Sequence, residues 1–143
     1  MNPALEGVFV AANGIAFIGW FVLIALPRWE HGRSVVAPVV APALLALAYV
    51  VSMAVGLPGA EGGFLSLAGV TRLLEKPVVM LGGWIHYLAF DLVVGAWEAR
   101  DARELGLPHA ALVPCLLLTF MLGPAGLLVY LVLRAALKKR FAA

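Results

Sequence analysis

The residues most able to do chemistry are a histidine and an aspartate inside one apolar segment. His86 lies near the middle of the apolar run Val78 to Trp97, and Asp91 follows it by five residues. Asp91 is the only carboxylate or ammonium group inside any of the spans predicted below. A carboxylate in the hydrocarbon core costs about 2.5 kcal/mol or more, so it normally faces a protein interior or a watery cavity. This segment is therefore the expected functional site.

On a helix, His86 and Asp91 lie about 140° apart around the axis, so they cannot hydrogen-bond as neighbours on one face. They could flank one ligand lodged beside the helix, or each could pair with a different neighbouring helix. Burial favours the neutral form of a carboxyl group, which makes Asp91 a candidate acid and His86 a candidate base. Either residue could instead only pack against another helix; for Asp91 the possible partners are His31, His109, Asn13 and an arginine.

Aromatic and small residues near this pair could form a slot for a long, flat, apolar ligand. The candidate ligand-binding residues are Trp84, Tyr87, Phe90, Trp97, Gly123 and Pro124. The aromatic residues could equally be ordinary core and interface side chains. The Gly-Pro pair should kink or break its helix, and small residues there let another backbone or a flat ligand approach closely. Polar residues that could support the site from outside it are Asn13, Asp101 and His109.

A metal site would need ligands from separate segments. The available set is His86, Asp91 and His109, and no HxxxH or CxxC spacing supports it. Neither a metal nor another cofactor is therefore favoured. The single cysteine, Cys115, lies in an apolar run and is expected to pack there.

The composition indicates a membrane protein. Hydrophobic residues make up 64% of the chain and charged residues 13%, and the mean hydropathy is +1.02. Soluble domains are nearer half apolar and a quarter charged. The net charge of +2 is small and concentrated near the C-terminus, so it does not indicate a nucleic-acid partner.

The apolar runs predict an all-α membrane protein of one domain, residues 1–143. It should have four transmembrane helices plus a short interfacial helix between the second and the third. The predicted spans are residues 8–26, 35–57, 78–97 and 110–133. Four spans would bring both termini to one side, and the distribution of basic residues favours the cytoplasmic side. The expected location is the inner membrane of a bacterium.

Most of the chain resembles a known family, and the resemblance is strongest from Leu65 to Leu133. The resemblance is carried by Gly83 to Leu92, by Leu116 to Pro124, and by Asp101 and His109. These stretches are similar to the abscisic-acid-deficient-four-like family of small membrane proteins. In plants that family is needed to make neoxanthin from violaxanthin. The resemblance implies a carotenoid or related polyene lipid as the ligand.

The leading hypothesis is conversion of a carotenoid-like polyene by isomerase-type acid/base chemistry near the third span. Opening an epoxide to an allene needs an acid at the epoxide oxygen and a base for a carbon-bound proton, and Asp91 and His86 fit those roles. One alternative is a carotenoid-cleaving, retinal-forming enzyme with a bound metal. Another is a non-catalytic carotenoid-binding or scaffold subunit. Besides the polyene and the bilayer, the expected partners are a second copy of the chain or a carotenoid-pathway enzyme.

Overall fold

The computed structural model describes residues 2–141, and every regular element in that range is helical. The six helices are α1 Pro3–Ala25, α2 Gly32–Gly56, α3 Leu67–Leu74, α4 Pro77–Glu104, α5 His109–Leu122 and α6 Pro124–Phe141. Within the described range, α1, α2 and α4 are long and apolar enough to cross a membrane. The all-helical membrane class predicted from the composition is therefore confirmed, with three candidate spans.

Proline residues set several helix boundaries. The Asn2 side chain accepts a hydrogen bond from the backbone N–H of Ala4 and so caps α1, whose first residue is Pro3. Helix α4 also begins with a proline, Pro77. Proline is tolerated there because the first turn of a helix leaves its N–H groups unpaired in any case. Pro38 lies inside α2, where the segment Gly32–Val40 is wound as a π-helix before regular α-helix begins. Such π-helical segments often occur at functional sites.

Helix α4 is the central helix, and α1 runs parallel to it. Gly19 of α1 packs on the Leu92 side chain, and Gly95 of α4 packs on the Trp20 ring. In both places a Cβ on the glycine would overlap the facing side chain. Small residues thus let the two helices approach closely, as is usual between helices in membranes.

Helix α2 packs on another side of α4 and runs antiparallel to it. Met53, near the end of α2, covers Gly82, near the start of α4. One turn earlier in α2, the Tyr49 ring lies 5.6 Å from the His86 ring. The short helix α3 lies in the connection between these two helices, and its Leu73 side chain is buried. Its location at a membrane interface stays a prediction.

The predicted span 110–133 is wrong, because the structure divides it into two antiparallel helices. Helix α5 ends at Gly123, which has φ +35°, and Pro124 begins α6. The chain then turns back, so that Gly126 packs directly against Thr119. The Gly-Pro pair did predict a kink or break in this helix, but it carries no information on the direction in which the chain continues. Together α5 and α6 form a helical hairpin.

Contacts with α1 and α4 fix the position of this hairpin. At the start of α5, the His109 Nε2 atom lies 2.8 Å from the Ile24 carbonyl oxygen. The turn at Gly123 lies against Asp91, near the middle of α4, and α6 then rises to bring Arg134 to Asp101. The hairpin therefore enters from the C-terminal end of α4 and returns to it. The beginning of α1 and the end of α6 lie at opposite ends of the bundle, so the prediction of both termini on one side is wrong.

The end of the predicted third span also needs correction. The sequence placed Glu98 and Asp101 in a charged connection after Trp97, but α4 continues to Glu104 and buries both carboxylates. Asp91 is therefore not the only acidic residue within the apolar helices. Burial of the other two is possible because hydroxyl and guanidinium groups of the hairpin contact them.

Candidate functional site

One face of α4 is left uncovered between helix α2 and the α5–α6 hairpin. Helices α2 and α6 both pack against α4, and within residues 2–141 they do not contact each other. Between them, Phe90 is exposed, while Tyr87 and Val94 are half-buried. Because this helix is apolar enough to span a membrane, the open face would meet lipid. We call it the α4 groove.

His86 lies at the α2 edge of the α4 groove. Its ring is 4.5 Å from the Phe90 ring and 5.6 Å from the Tyr49 ring, measured between centroids. The side chain is exposed, and among the described residues the imidazole has no hydrogen-bond partner. It also borders a hollow of about 220 Å³ that continues toward α3. The imidazole is thus held by aromatic neighbours with both nitrogen atoms available.

Asp91 lies at the opposite edge, against the turn of the hairpin. A Cβ on Gly123 would be 2.6 Å and 2.7 Å from the two carboxylate oxygens of Asp91. The Oδ2 atom is buried and has no hydrogen-bond partner within the described part of the chain. Buried polar atoms are almost always paired, so such an exception requires an explanation. A hydrogen-bond donor of a bound ligand would supply a partner for the ionised oxygen, whereas a protonated Oδ2 would need an acceptor.

Tyr87 connects the floor of the groove to the same turn. Its hydroxyl oxygen lies 3.3 Å from the Met121 carbonyl oxygen and 3.5 Å from that of Phe120. Tyr87 precedes Asp91 by one helical turn, so the two side chains lie on neighbouring parts of one face. The hydroxyl carries one proton, so it donates at any time either to one of these carbonyl groups, which holds the hairpin turn beside Asp91, or to the Asp91 carboxylate.

The structure therefore does not bring His86 and Asp91 into contact. It locates them at two edges of one open face, with Tyr87 and Phe90 between them. An elongated ligand in the α4 groove would pass between the imidazole and the carboxylate. This is the flanking arrangement that the five-residue spacing allows.

The remaining aromatic candidates extend the face in both directions. Trp84 is exposed and packs against Tyr87 and Phe9, with ring centroids 5.3 Å and 5.9 Å apart. Asn13 accepts a long hydrogen bond of 3.4 Å from the Trp84 indole, so it orients that ring and lies away from His86. Toward the other end, Trp97 meets the Tyr130 ring edge-on at 5.5 Å.

Two acidic residues that the sequence did not predict to be buried lie deeper, between α4 and the hairpin. Glu98 is completely buried and hydrogen-bonded to Thr119. Asp101 accepts hydrogen bonds from the Tyr130 hydroxyl and from the Arg134 guanidinium, which makes it a structural anchor for α6. The signal for Glu98 was its spacing, because it follows Asp91 by two helical turns on the same face.

The residues that could have held a metal do not converge. His86 faces the α4 groove on the α2 side, Asp91 faces the hairpin turn, and His109 is bonded to Ile24 at the end of α1. Among the described residues, no three histidine, cysteine or acidic side chains are grouped as metal ligands. This donor set therefore does not fit the metal that a carotenoid-cleaving alternative would use.

The three long apolar helices define a small polytopic α-helical membrane protein. A family model described as ABA DEFICIENT 4-like matches residues 7–130. Because the match covers most of the chain, the protein belongs to that family, and the family resemblance seen in the sequence is confirmed. Comparison with curated proteins finds no match, and comparison with solved structures finds none either.

Proposed function

We propose that this protein binds a carotenoid-like polyene in the α4 groove and converts it by isomerase-type acid/base chemistry. Family membership supports a role in carotenoid metabolism. The observation that carries the chemical proposal is the buried Asp91 Oδ2 atom without a hydrogen-bond partner, at the edge of an open aromatic face. An ionisable group inside a membrane helix is by default a functional candidate.

The dimensions and chemistry of the groove suit an extended conjugated chain. His86 and Trp97 are eleven residues apart, which corresponds to about 16 Å along the helix axis. The face between them is formed by aromatic and aliphatic groups, with Phe90 the most exposed aromatic ring among them. A flat polyene would pack on these rings and leave its oxygen-bearing end group to the polar edges.

In this proposal the acid, Asp91, lies at one polar edge of the groove and the base, His86, lies at the other. Protonated Asp91 would donate its proton to the oxygen of an epoxide as the C–O bond breaks. Neutral His86 would remove a proton from carbon, and the electrons of that C–H bond would form the new double bond. The substrate gains one proton and loses one, so the product is an isomer and no oxidant is required.

The charge distribution also supports an orientation in the membrane. Eight of the ten basic residues belong to the end of the bundle where α4 terminates: Arg28, Arg33, Arg100, Arg103, Arg134, Lys138, Lys139 and Arg140. The other two, Arg72 and Lys76, belong to the opposite end. By the positive-inside rule, the C-terminal end of α4 faces the cytoplasm.

The test is expression in a bacterial host that makes an epoxidised carotenoid, followed by chromatography of the extracted pigments. A new isomeric product should appear with the unchanged protein and vanish with Asp91→Asn and His86→Gln. His109→Gln is the matched control, because that imidazole lies outside the groove. Full conversion by Asp91→Asn would refute the assigned chemistry. A coloured purified protein without any new product would favour the binding or scaffold alternative.

A further inference from the structure

A second hollow lies at the end of the bundle where α4 terminates, apart from Asp91 and His86. Its volume is about 450 Å³, and it is enclosed by the α1–α2 connection, the last turns of α4 and the start of α5. Its polar lining is basic: Arg28, Arg33, Arg103 and His109. Not one acidic residue lines it within the described part of the chain.

Arg33 is the residue of this lining that has a hydrogen-bond donor without an acceptor. Its side chain is only 22% exposed, and its Nη2 atom lies 3.3 Å from Glu30. The Nε atom is buried and has no hydrogen-bond partner among the described residues. A buried guanidinium N–H without an acceptor is costly, and an anion in the hollow would satisfy it once the side chain rotates to turn Nε toward that anion.

The start of α5 contributes a second favourable feature. The residue before the helix is Pro108, which provides no side-chain cap for the first amide groups. His109, the first residue of α5, lines the hollow, and its Nε2 atom is fixed by the Ile24 carbonyl. Uncapped N–H groups and the helix dipole both favour an anion at this position.

We propose that this hollow binds a phosphate group, presented either by the headgroup of an anionic lipid or by a free phosphate compound. The guanidinium groups of Arg28, Arg33 and Arg103 match the geometry of phosphate oxygens. Glu30 and Glu104 offset part of the positive charge nearby, and three arginines still exceed these two carboxylates. Basic pockets between helices at the cytoplasmic surface are suited to lipid headgroups.

The experiment measures the thermal stability of the purified full-length protein in detergent. The probes are short-chain phosphatidylglycerol, phosphatidylcholine of equal chain length, and sodium phosphate against sodium chloride at matched ionic strength. Phosphatidylglycerol should raise the melting temperature, and phosphatidylcholine should not. Arg33→Gln and Arg103→Gln should each weaken the apparent affinity about tenfold. Arg72→Gln, a basic residue at the opposite end, is the control.

The lipid and the inorganic phosphate probes distinguish the two possible sources of the phosphate group. Stabilisation by phosphatidylglycerol alone indicates a lipid headgroup, while an equal effect of inorganic phosphate indicates a soluble anion. Arg103 is exposed, so its variant remains informative even if the partly buried Arg33 is needed for folding. The proposal is overturned if neither probe stabilises the protein, or if Arg72→Gln reduces the effect as much as Arg103→Gln does.

Discussion

The Thr119 hydroxyl lies 3.0 Å and 3.1 Å from the two carboxylate oxygens of Glu98, and both residues are completely buried. A hydroxyl carries one proton, so it can donate to one of these oxygens at a time. The pair joins α5 to the middle of α4, between the levels of Asp91 and Asp101. It therefore holds the hairpin in the position that brings its turn against Asp91.

Thr119→Val should lower the stability of the protein by about 1–3 kcal/mol, because a buried carboxyl group would lose its donor while the side-chain shape is kept. Thermal unfolding of the purified protein in detergent measures the change. Thr71→Val is the matched control, since the Thr71 hydroxyl is exposed and bonds only within α3. Equal melting temperatures for the two variants would show that the Glu98 contact contributes no stability.

Gly123→Ala should both destabilise the protein and reduce conversion of the carotenoid. Its φ of +35° is unfavourable for a residue with a Cβ, and that Cβ would displace the Asp91 carboxylate. We expect a loss of about 1–3 kcal/mol and less product per amount of folded protein. Gly14→Ala is the control, because nothing lies within 4 Å of the added methyl group. Wild-type conversion by Gly123→Ala would argue against a functional role of the turn.

The sequence was sufficient to predict the three long apolar helices and the break at Gly123-Pro124. Hydropathy, helical spacing and the Gly-Pro pair are local features of the sequence, so they can predict single helices and the points where a helix breaks. The direction of α6 after the break depends on contacts of Tyr130 and Arg134 with Asp101, which lie about thirty residues away along the chain. No local pattern encodes such contacts.

Burial of Glu98 could not be predicted for a related reason. A glutamate followed by Arg100 and Asp101 has the composition of a solvated loop, and only the opposing Thr119 makes its burial tolerable. The same limit applies to the second hollow, for which we propose a phosphate ligand. Its arginines come from the α1–α2 connection, from the first turn of α2 and from α4, and only the fold brings them together.

Asp101→Asn should loosen α6 from α4. The carboxylate accepts hydrogen bonds from Arg134 at 2.7 Å and 2.8 Å and from the Tyr130 hydroxyl at 2.6 Å. An amide would weaken the charged contact, and we expect faster cleavage of α6 by limited proteolysis, with a loss of about 1–3 kcal/mol. Glu104→Gln, an exposed neighbour on α4, should cleave at the wild-type rate. If both variants resist protease equally, Asp101 does not anchor α6.

The hairpin makes a prediction about topology that separates it from a fourth span. In a Cys115→Ala background, single cysteines at Glu61→Cys and Glu104→Cys probe the two ends of the bundle, because α4 lies between these positions. A membrane-impermeant thiol reagent applied to intact cells should label Glu61→Cys and leave Glu104→Cys unlabelled, since the C-terminal end of α4 is proposed to be cytoplasmic.

A reporter fused to the C-terminus should then lie on the same side as residue 104, because α6 returns to that end. A reporter on the side of residue 61 would mean that the segment after His109 crosses the membrane. The contacts of Arg134 and Tyr130 with Asp101 could not then form, since α6 would lie too far from the end of α4.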